Sequence, residues 1–183
     1  MLSLLFVLAT AAFARPPDAT WLNQPAALTT ADALNMYSGL INGALKSQID
    51  PSSGVLDMNI WLVDAEGHIR VEMLLTSDLV SNIQGAPPGK QTALLLGMHQ
   101  ELAQGLLETI RTSDPSSSSG IGIFGNTTLP NSPFQDVVGK YLASRDAADI
   151  VLSLGFRQGT ASHLYTTVFH DRVVFAPDAP TAR

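Results

Sequence analysis

The sequence contains no cysteine in its 183 residues. This absence excludes disulfide bonds, thiolate metal sites, covalently attached c-type haem and cysteine nucleophiles. Positive charge is scarce as well: ten lysine and arginine residues stand against sixteen acidic residues, and the formal net charge is -6. Nonspecific nucleic-acid binding needs clustered Lys and Arg that displace counterions from phosphate. The composition therefore argues against a nucleic-acid partner.

A run of apolar residues long enough to cross a membrane is also missing. The first 14 residues, MLSLLFVLATAAFA, are apolar, but a transmembrane helix needs roughly 17–25 residues. They end in Ala12-Phe13-Ala14, a small-x-small cleavage pattern. We therefore expect a signal peptide at 1–14, no membrane span, and a secreted or periplasmic protein. The alternatives are a misannotated start or a buried N-terminal helix.

The rest of the chain has the composition of one folded domain. Hydrophobic residues make up 45% of the sequence, which is enough for a full core and argues against global disorder. Prolines at the beginning of the mature chain predict an extended leader at 15–28. A single domain should follow at 29–177, and the last residues, 178–183, should form a loose tail.

Hydrophobic periodicity and turn signals predict the secondary structure. Thr29 and Asp32 have the spacing of a capping box, which places a helix start there. Apolar residues then alternate with polar ones on both sides of a short loop at 64–67, so that Asp57, Asn59 and Glu72 lie on the faces opposite the apolar residues. The predicted elements are a helix at 29–46, strands at 56–63 and 68–75, helices at 90–111 and 134–143, and strands at 150–156, 163–170 and 173–175.

This order, α-β-β-α-(α)-β-β-β, predicts an α+β domain with an antiparallel sheet flanked by helices. Profilin-like, PAS-like and roadblock-like domains are all built in this way. Because one fold serves many functions, this fold does not by itself specify the function of the protein.

Three histidines are candidate functional residues. His99 falls on the apolar face of the long helix, where it is either a hydrogen-bonded core residue or an axial ligand in an apolar pocket. His163 and His170 lie seven residues apart in one predicted strand, so their side chains should point to opposite faces. Two such residues do not ligate one metal ion unless a bulge intervenes.

The polar loop at 113–133 carries two further motifs. Residues 120–125, GIGIFG, match the dinucleotide-binding pattern, but no helix signal follows them to receive a pyrophosphate. Asn126 begins an N-x-T sequon and is a glycosylation site if the host glycosylates secreted proteins.

Three segments together resemble the small haem-binding domains of the GlcG/HbpS type. They are LTTADAL at 28–34, MNIWLVDAEGHI at 58–69, and KQTA at 90–93. The similar stretch covers residues 28–100. The resemblance implies a profilin-like, homo-oligomeric domain that binds haem or a related tetrapyrrole. It places Lys90 and Thr92 near that ligand, and His99, two turns further along the helix, becomes a third candidate contact.

Three hypotheses follow. The first is a secreted, non-enzymatic domain that binds haem or another small hydrophobic ligand. The alternative is a structural or protein-interaction module of PAS-like or roadblock-like fold with no ligand. The third is a small secreted enzyme that pairs His163 or His170 with Asp171, Asp149 or Asp146.

Overall fold

A computed structural model of the chain describes residues 29–46, 49–112 and 133–177. The predicted signal peptide, leader and tail, the GIGIFG motif and Asn126 all lie outside these residues. No helix within the described ranges is both long enough and apolar enough to span a membrane. The elements are α1 (Thr30–Leu45), β1 (Val55–Trp61), β2 (Ile69–Leu75), α2 (Ser77–Gln84), α3 (Pro88–Thr112), α4 (Pro133–Ala143), β3 (Ile150–Gln158), β4 (Ala161–Val168) and β5 (Val173–Phe175).

The α+β class and the predicted order of elements are confirmed. One helix, α2, was not expected. It begins because the Thr76 hydroxyl accepts a hydrogen bond from the Leu79 backbone N–H, which is a standard N-cap interaction. The strand expected at 163–170 instead spans Ala161–Val168, so His170 lies in the connection to β5 and the two histidines do not share a strand.

The five strands form one sheet in the order β1-β2-β3-β4-β5. The expectation of an antiparallel sheet needs one correction, since β2 and β3 pair in parallel, whereas the other neighbouring strands are antiparallel. The chain leaves β2, passes through α2, α3 and α4, and only then enters β3. Such a crossover returns the chain to the same end of the sheet, which makes the pairing parallel.

The hydrophobic core lies between one face of the sheet and the helices. Alternate residues of the strands supply most of it, as the period of two predicts. The helices contribute their apolar stripes, and on α3 this stripe includes Leu95, Leu102 and His99, of which His99 was predicted to lie on the apolar face. The central strands contribute six residues with no exposed surface, namely Ile69, Val71, Leu75, Ile150, Leu152 and Leu154.

The predicted capping box starts α1. The Thr29 Oγ1 atom accepts a hydrogen bond from the Asp32 backbone N–H at 3.2 Å, and the Asp32 carboxylate accepts one from the Thr29 backbone N–H at 3.3 Å. Two of the backbone donors that a helix start leaves unpaired are thereby satisfied.

Replacement of Gly39 by alanine should stabilise the protein. Gly39 is exposed in the interior of α1, and an added Cβ atom would have nothing within 4 Å. Because glycine costs helices about 0.5–1 kcal/mol relative to alanine, we expect Gly39→Ala to raise the free energy of unfolding by that amount. Urea denaturation monitored by circular dichroism measures this change in the free energy of unfolding. A loss of stability would show that this face of α1 has a contact that the structure does not place there.

The outer edge of β1 is covered by side chains from two helices. The Asn42 side-chain amide accepts a hydrogen bond from the Ile60 N–H at 2.6 Å and donates one to the Ile60 carbonyl at 3.0 Å. Just beyond the strand, the Leu62 N–H donates to the Ser38 hydroxyl at 2.9 Å, and the Tyr141 hydroxyl donates to the Leu62 carbonyl at 2.6 Å. These contacts occupy backbone groups through which another strand would pair, so this end of the edge is protected from strand addition.

Asn42→Ala should therefore weaken the attachment of α1 to the sheet. It leaves the backbone N–H and carbonyl of Ile60 without their partners in a half-buried position. We expect a loss of about 1–2 kcal/mol in the free energy of unfolding. Asn35→Ala is the matched control, since Asn35 is exposed on the same helix, and it should change stability little. Equal effects from both variants would contradict the role given to Asn42.

Candidate functional site

The second face of the sheet carries a groove with a volume of about 380 Å³. Strands β1 to β4 supply the whole lining, and no helix among the described residues contributes to it. The residues that line the groove are Asp57, Asn59, Arg70, Glu72, Met73, Leu74, Ser153, Gly155, Arg157, Ser162, His163 and Leu164. Alternation explains the polarity of this face, because these strands give their apolar residues to the core on the opposite side.

The sheet register brings polar groups from distant parts of the sequence next to one another. Asn59 lies opposite Glu72, and Glu72 lies opposite Ser153. Asp57 is in the next row, and its carboxylate accepts a hydrogen bond from the Met58 N–H at 2.9 Å. Apart from Arg70, whose charge is paired with Asp64, the β1–β2 side of the groove is therefore acidic.

The β3–β4 side carries the opposite charge. Arg157 is exposed near the end of β3, and Ser162 lies directly across from it on β4. Among the described residues, no carboxylate forms an ion pair with Arg157. Its guanidinium group therefore presents its donors to solvent and to the groove.

Gly155 forms the floor between these two sides. It lies opposite Leu164, and a Cβ atom added to it would be 2.8 Å from the His163 carbonyl oxygen. The pairing shifts by one residue between Leu154 and Gly155, which is the behaviour of a β-bulge. As a consequence, Tyr165 and Thr166 are both buried although they are consecutive in β4. The absence of a side chain at 155 lets the strands approach closely and leaves a hollow on the open face.

Arg70 has its partners within the domain. Its Nε and Nη2 atoms donate to one carboxylate oxygen of Asp64 at 3.1 and 2.8 Å, and its Nη1 atom donates to the Ser153 hydroxyl at 3.0 Å. This network ties the β1–β2 loop to β3. Arg70 therefore borders the groove as a structural group, whereas Arg157 is free for a ligand.

Asp64 is the centre of the hairpin loop, and its side chain is only 8% exposed. Its other carboxylate oxygen accepts hydrogen bonds from the backbone N–H groups of Glu66 and His68, both at 2.9 Å. Burial acts to raise the pKa of Asp64, but these backbone donors and Arg70 outweigh it and lower the pKa below its ordinary value.

Asp64, Glu66 and His68 also place one ligand atom each within 4.8 Å of one another, a spacing that suits a metal ion. The His68 Nδ1 atom is 3.6 Å from a carboxylate oxygen of each acid. Both oxygens of Asp64 are nevertheless occupied by four donors, and the positive charge of Arg70 lies beside them. A cation would have to displace these contacts, so we assign the cluster to the stability of the loop.

His99 lies in the core, 2% exposed, and its Nε2 atom is 2.8 Å from the Ile150 carbonyl oxygen. This geometry corresponds to the first of the two interpretations offered by the sequence, a hydrogen-bonded core histidine. An axial haem ligand needs a free ring nitrogen facing an open pocket. Here the Nε2 atom is engaged with backbone at the beginning of β3, so the residues present do not fit haem at this position.

Lys90 does not converge with His99, and the Thr92 hydroxyl is engaged within its own helix. Lys90 is exposed, and the Thr92 hydroxyl donates to the Pro88 carbonyl in its own helix at 3.3 Å. At about 1.5 Å of rise and 100° per residue, Lys90 lies some 13 Å from His99 along the helix axis and on the opposite side. Lys90 and His99 therefore do not line one volume, whereas Thr92, seven residues before His99, lies on the same side of the helix.

His163 and His170 are both exposed. The His163 ring stacks on Phe156, with 5.3 Å between ring centroids. Within the part of the chain that the structure describes, neither histidine lies within ion-pair distance of Asp171, Asp149 or Asp146. Asp146 and Asp149 instead form a capping box with each other's backbone, and Asp149 lies 3.5 Å from Arg145.

Sequence reasoning did not identify the groove as a site. Alternation placed Asp57, Asn59 and Glu72 on the outer face of the hairpin, and this was the available signal. The sequence contained no comparable signal for Arg157 and Ser162, because only the pairing of β2 with β3 brings these residues beside the hairpin.

The fold and the groove together define the class of this protein. It is an α+β domain in which one face of the sheet packs against helices and the other face is polar and carries a groove. In comparisons with known proteins, no family model matched the chain, and no curated protein or solved structure matched it either. The likeness to GlcG/HbpS-type domains remains a resemblance of three short segments.

Proposed function

We propose that this protein is a non-catalytic binding module that holds a small polar ligand in the groove on the open face of its sheet. The observation that carries the proposal is the lining of this groove. It combines carboxylates, an amide, hydroxyls and a guanidinium group around a glycine floor. Concave sites with a few convergent polar groups are the usual form of small-ligand sites.

The groove favours a polar ligand over the tetrapyrrole that the resemblance implied. Haem has a large apolar surface, whereas this lining offers charges of both signs. His99, the candidate axial ligand, lies in the core with its Nε2 atom engaged. A hemin titration of the purified protein tests the difference, and we expect no Soret shift. A Soret shift that is lost in His99→Ala and retained in Glu72→Ala would instead support haem binding at α3.

The ligand site itself is tested by nuclear magnetic resonance. We expect fragments from a polar library to shift the backbone amide signals of groove residues on β1 to β4. Glu72→Ala and Arg157→Ala should reduce these shifts, while Glu101→Ala, an exposed acid on α3, should leave them unchanged. If no fragment perturbs these amides, or if the shifts cluster around α3, the proposal is wrong.

A second candidate, an interaction module that self-associates, is favoured by a different observation. Leu164 and Val174 are 52% and 48% exposed on the open face of the last two strands. Exposed apolar groups on neighbouring strands are a common feature of interaction surfaces. The predicted homo-oligomer would use this surface, and light scattering on the wild type and on Leu164→Ser with Val174→Ser distinguishes a dimer from a monomer.

Export remains a proposal that rests on the apolar segment at 1–14. Expression of the full chain in a bacterium, followed by N-terminal sequencing of the product, tests it. We expect the mature protein in the periplasm or medium to begin at Arg15.

A further inference from the structure

We infer that the ligand of the groove is a short linear peptide, about three residues long, with a free amino terminus and a free carboxyl terminus. This inference rests on the proposed function and specifies the class of ligand. It follows from the arrangement of charges along the groove, which is acidic at one end, basic at the other and partly apolar between them.

The acidic end offers three acceptors to one ammonium group. Asn59 and Glu72 are direct cross-strand neighbours, and Asp57 is diagonal to Glu72, one row away. Side chains in direct and diagonal positions on one face lie about 5–8 Å apart, which lets them surround a small cation. Among the described residues, neither Asp57 nor Glu72 forms an ion pair. An ammonium group has three donors and no acceptor, so these three side chains match it.

The basic end offers donors to a carboxylate. Arg157 and Ser162 are direct neighbours across β3 and β4. A guanidinium group binds a carboxylate through two parallel hydrogen bonds, and these charge-assisted bonds are stronger than neutral ones. Since Arg70 is already engaged with Asp64 and Ser153, Arg157 is the arginine of the groove that remains available.

The distance between the ends sets the length of the ligand. Asp57 and Arg157 lie two strands and two residues apart in the register, which corresponds to about 12 Å between their Cα atoms at ordinary strand spacing. An extended peptide spans at most about 3.3–3.6 Å per residue, so a peptide of three or four residues matches this separation, and a single amino acid is much shorter than it. Gly155 leaves room at the middle, and Leu74 and Leu164 offer apolar contacts to the peptide side chains.

Isothermal titration calorimetry with alanine peptides tests this inference on the full-length chain. We expect Ala-Ala-Ala with free termini to bind, and the dipeptide to bind more weakly. Acetylation of the amino terminus or amidation of the carboxyl terminus should each weaken binding at least about tenfold, as expected when a charge-assisted contact is lost.

Variants assign the two ends. Glu72→Gln with Asp57→Asn should remove the preference for a free amino terminus and keep the preference for a free carboxylate. Arg157→Gln should remove the preference for a free carboxylate and keep the preference for a free amino terminus. Glu101→Gln and Lys46→Gln, exposed charges outside the groove, are controls and should leave both preferences intact.

The outcomes separate this inference from the proposed function. If polar fragments shift groove amides but the free and blocked peptides bind equally or not at all, the groove is a site and the peptide inference is wrong. If neither fragments nor peptides bind in the groove, the proposed function and the peptide inference are both wrong. Binding of the free tripeptide with both terminal preferences, each lost in its own variant, supports the inference.

Discussion

Asp64→Ala is expected to lower the free energy of unfolding by about 3 kcal/mol, the largest effect that we predict for a single side chain in this protein. Asp64 is 8% exposed and accepts four hydrogen bonds, two from backbone and two from Arg70. Its removal leaves the loop donors unpaired and the Arg70 charge, 27% exposed, without its counterion. Losses of 3–5 kcal/mol are typical when one partner of a buried pair is deleted, and partial exposure places this case near the lower limit.

Urea denaturation at neutral pH measures this loss. Glu66→Ala is the control, because Glu66 belongs to the same loop and its side chain is 67% exposed. We expect the control to change stability by less than about 0.5 kcal/mol. Similar losses in the two variants would show that the loop is sensitive to any substitution and that the Asp64 network is not the reason.

The same network predicts a dependence on pH. The folded-state pKa of Asp64 is lower than that of the unfolded chain, so the unfolded state takes up its proton first as the pH falls. The stabilisation is therefore fully present above the unfolded pKa, near 4, and is lost as the pH falls through the folded pKa. In Asp64→Asn, stability should fall less steeply below about pH 5 than in the wild type. Identical slopes would contradict the lowered pKa.

The hairpin shows how much local sequence can reveal. Alternation on both sides of residues 64–67 predicted β1, β2, their buried faces and the polar faces opposite. These features depend on neighbours within a few residues, where periodicity and turn chemistry carry the information.

The groove depends on a contact that local patterns do not encode. Glu72 and Ser153 are far apart in the sequence and meet because β2 pairs in parallel with β3. Nothing in either strand alone specifies that neighbour, since the intervening helices determine where β3 enters the sheet. His99 illustrates the same limit, because the helical wheel gave its burial correctly but gave no information on its Ile150 partner. Local patterns therefore predicted the elements, and the candidate site required the tertiary pairing.

Gly155→Ala is expected to lower the free energy of unfolding by about 2–3 kcal/mol, although it adds only one methyl group. The new Cβ atom would be 2.8 Å from the His163 carbonyl oxygen. Because that oxygen belongs to the backbone of β4, a side-chain rotation does not relieve the contact, and the two strands must move apart at the bulge. Overpacking of this kind costs about 1–3 kcal/mol. Gly97→Ala makes the same chemical change in α3, where an added Cβ atom would have nothing within 4 Å.

Denaturation and ligand binding should respond together in these two variants. Gly97→Ala should keep or slightly raise stability, because alanine favours a helix, and should leave binding in the groove unchanged. Gly155→Ala should lose stability and should also weaken the binding of groove ligands under conditions where it is still folded, since the methyl group fills the floor between the acidic and basic ends. A Gly155→Ala protein as stable as the wild type would show that β4 can retreat freely at the bulge. The narrow hollow on which the proposed site depends would then not be a fixed feature of the fold.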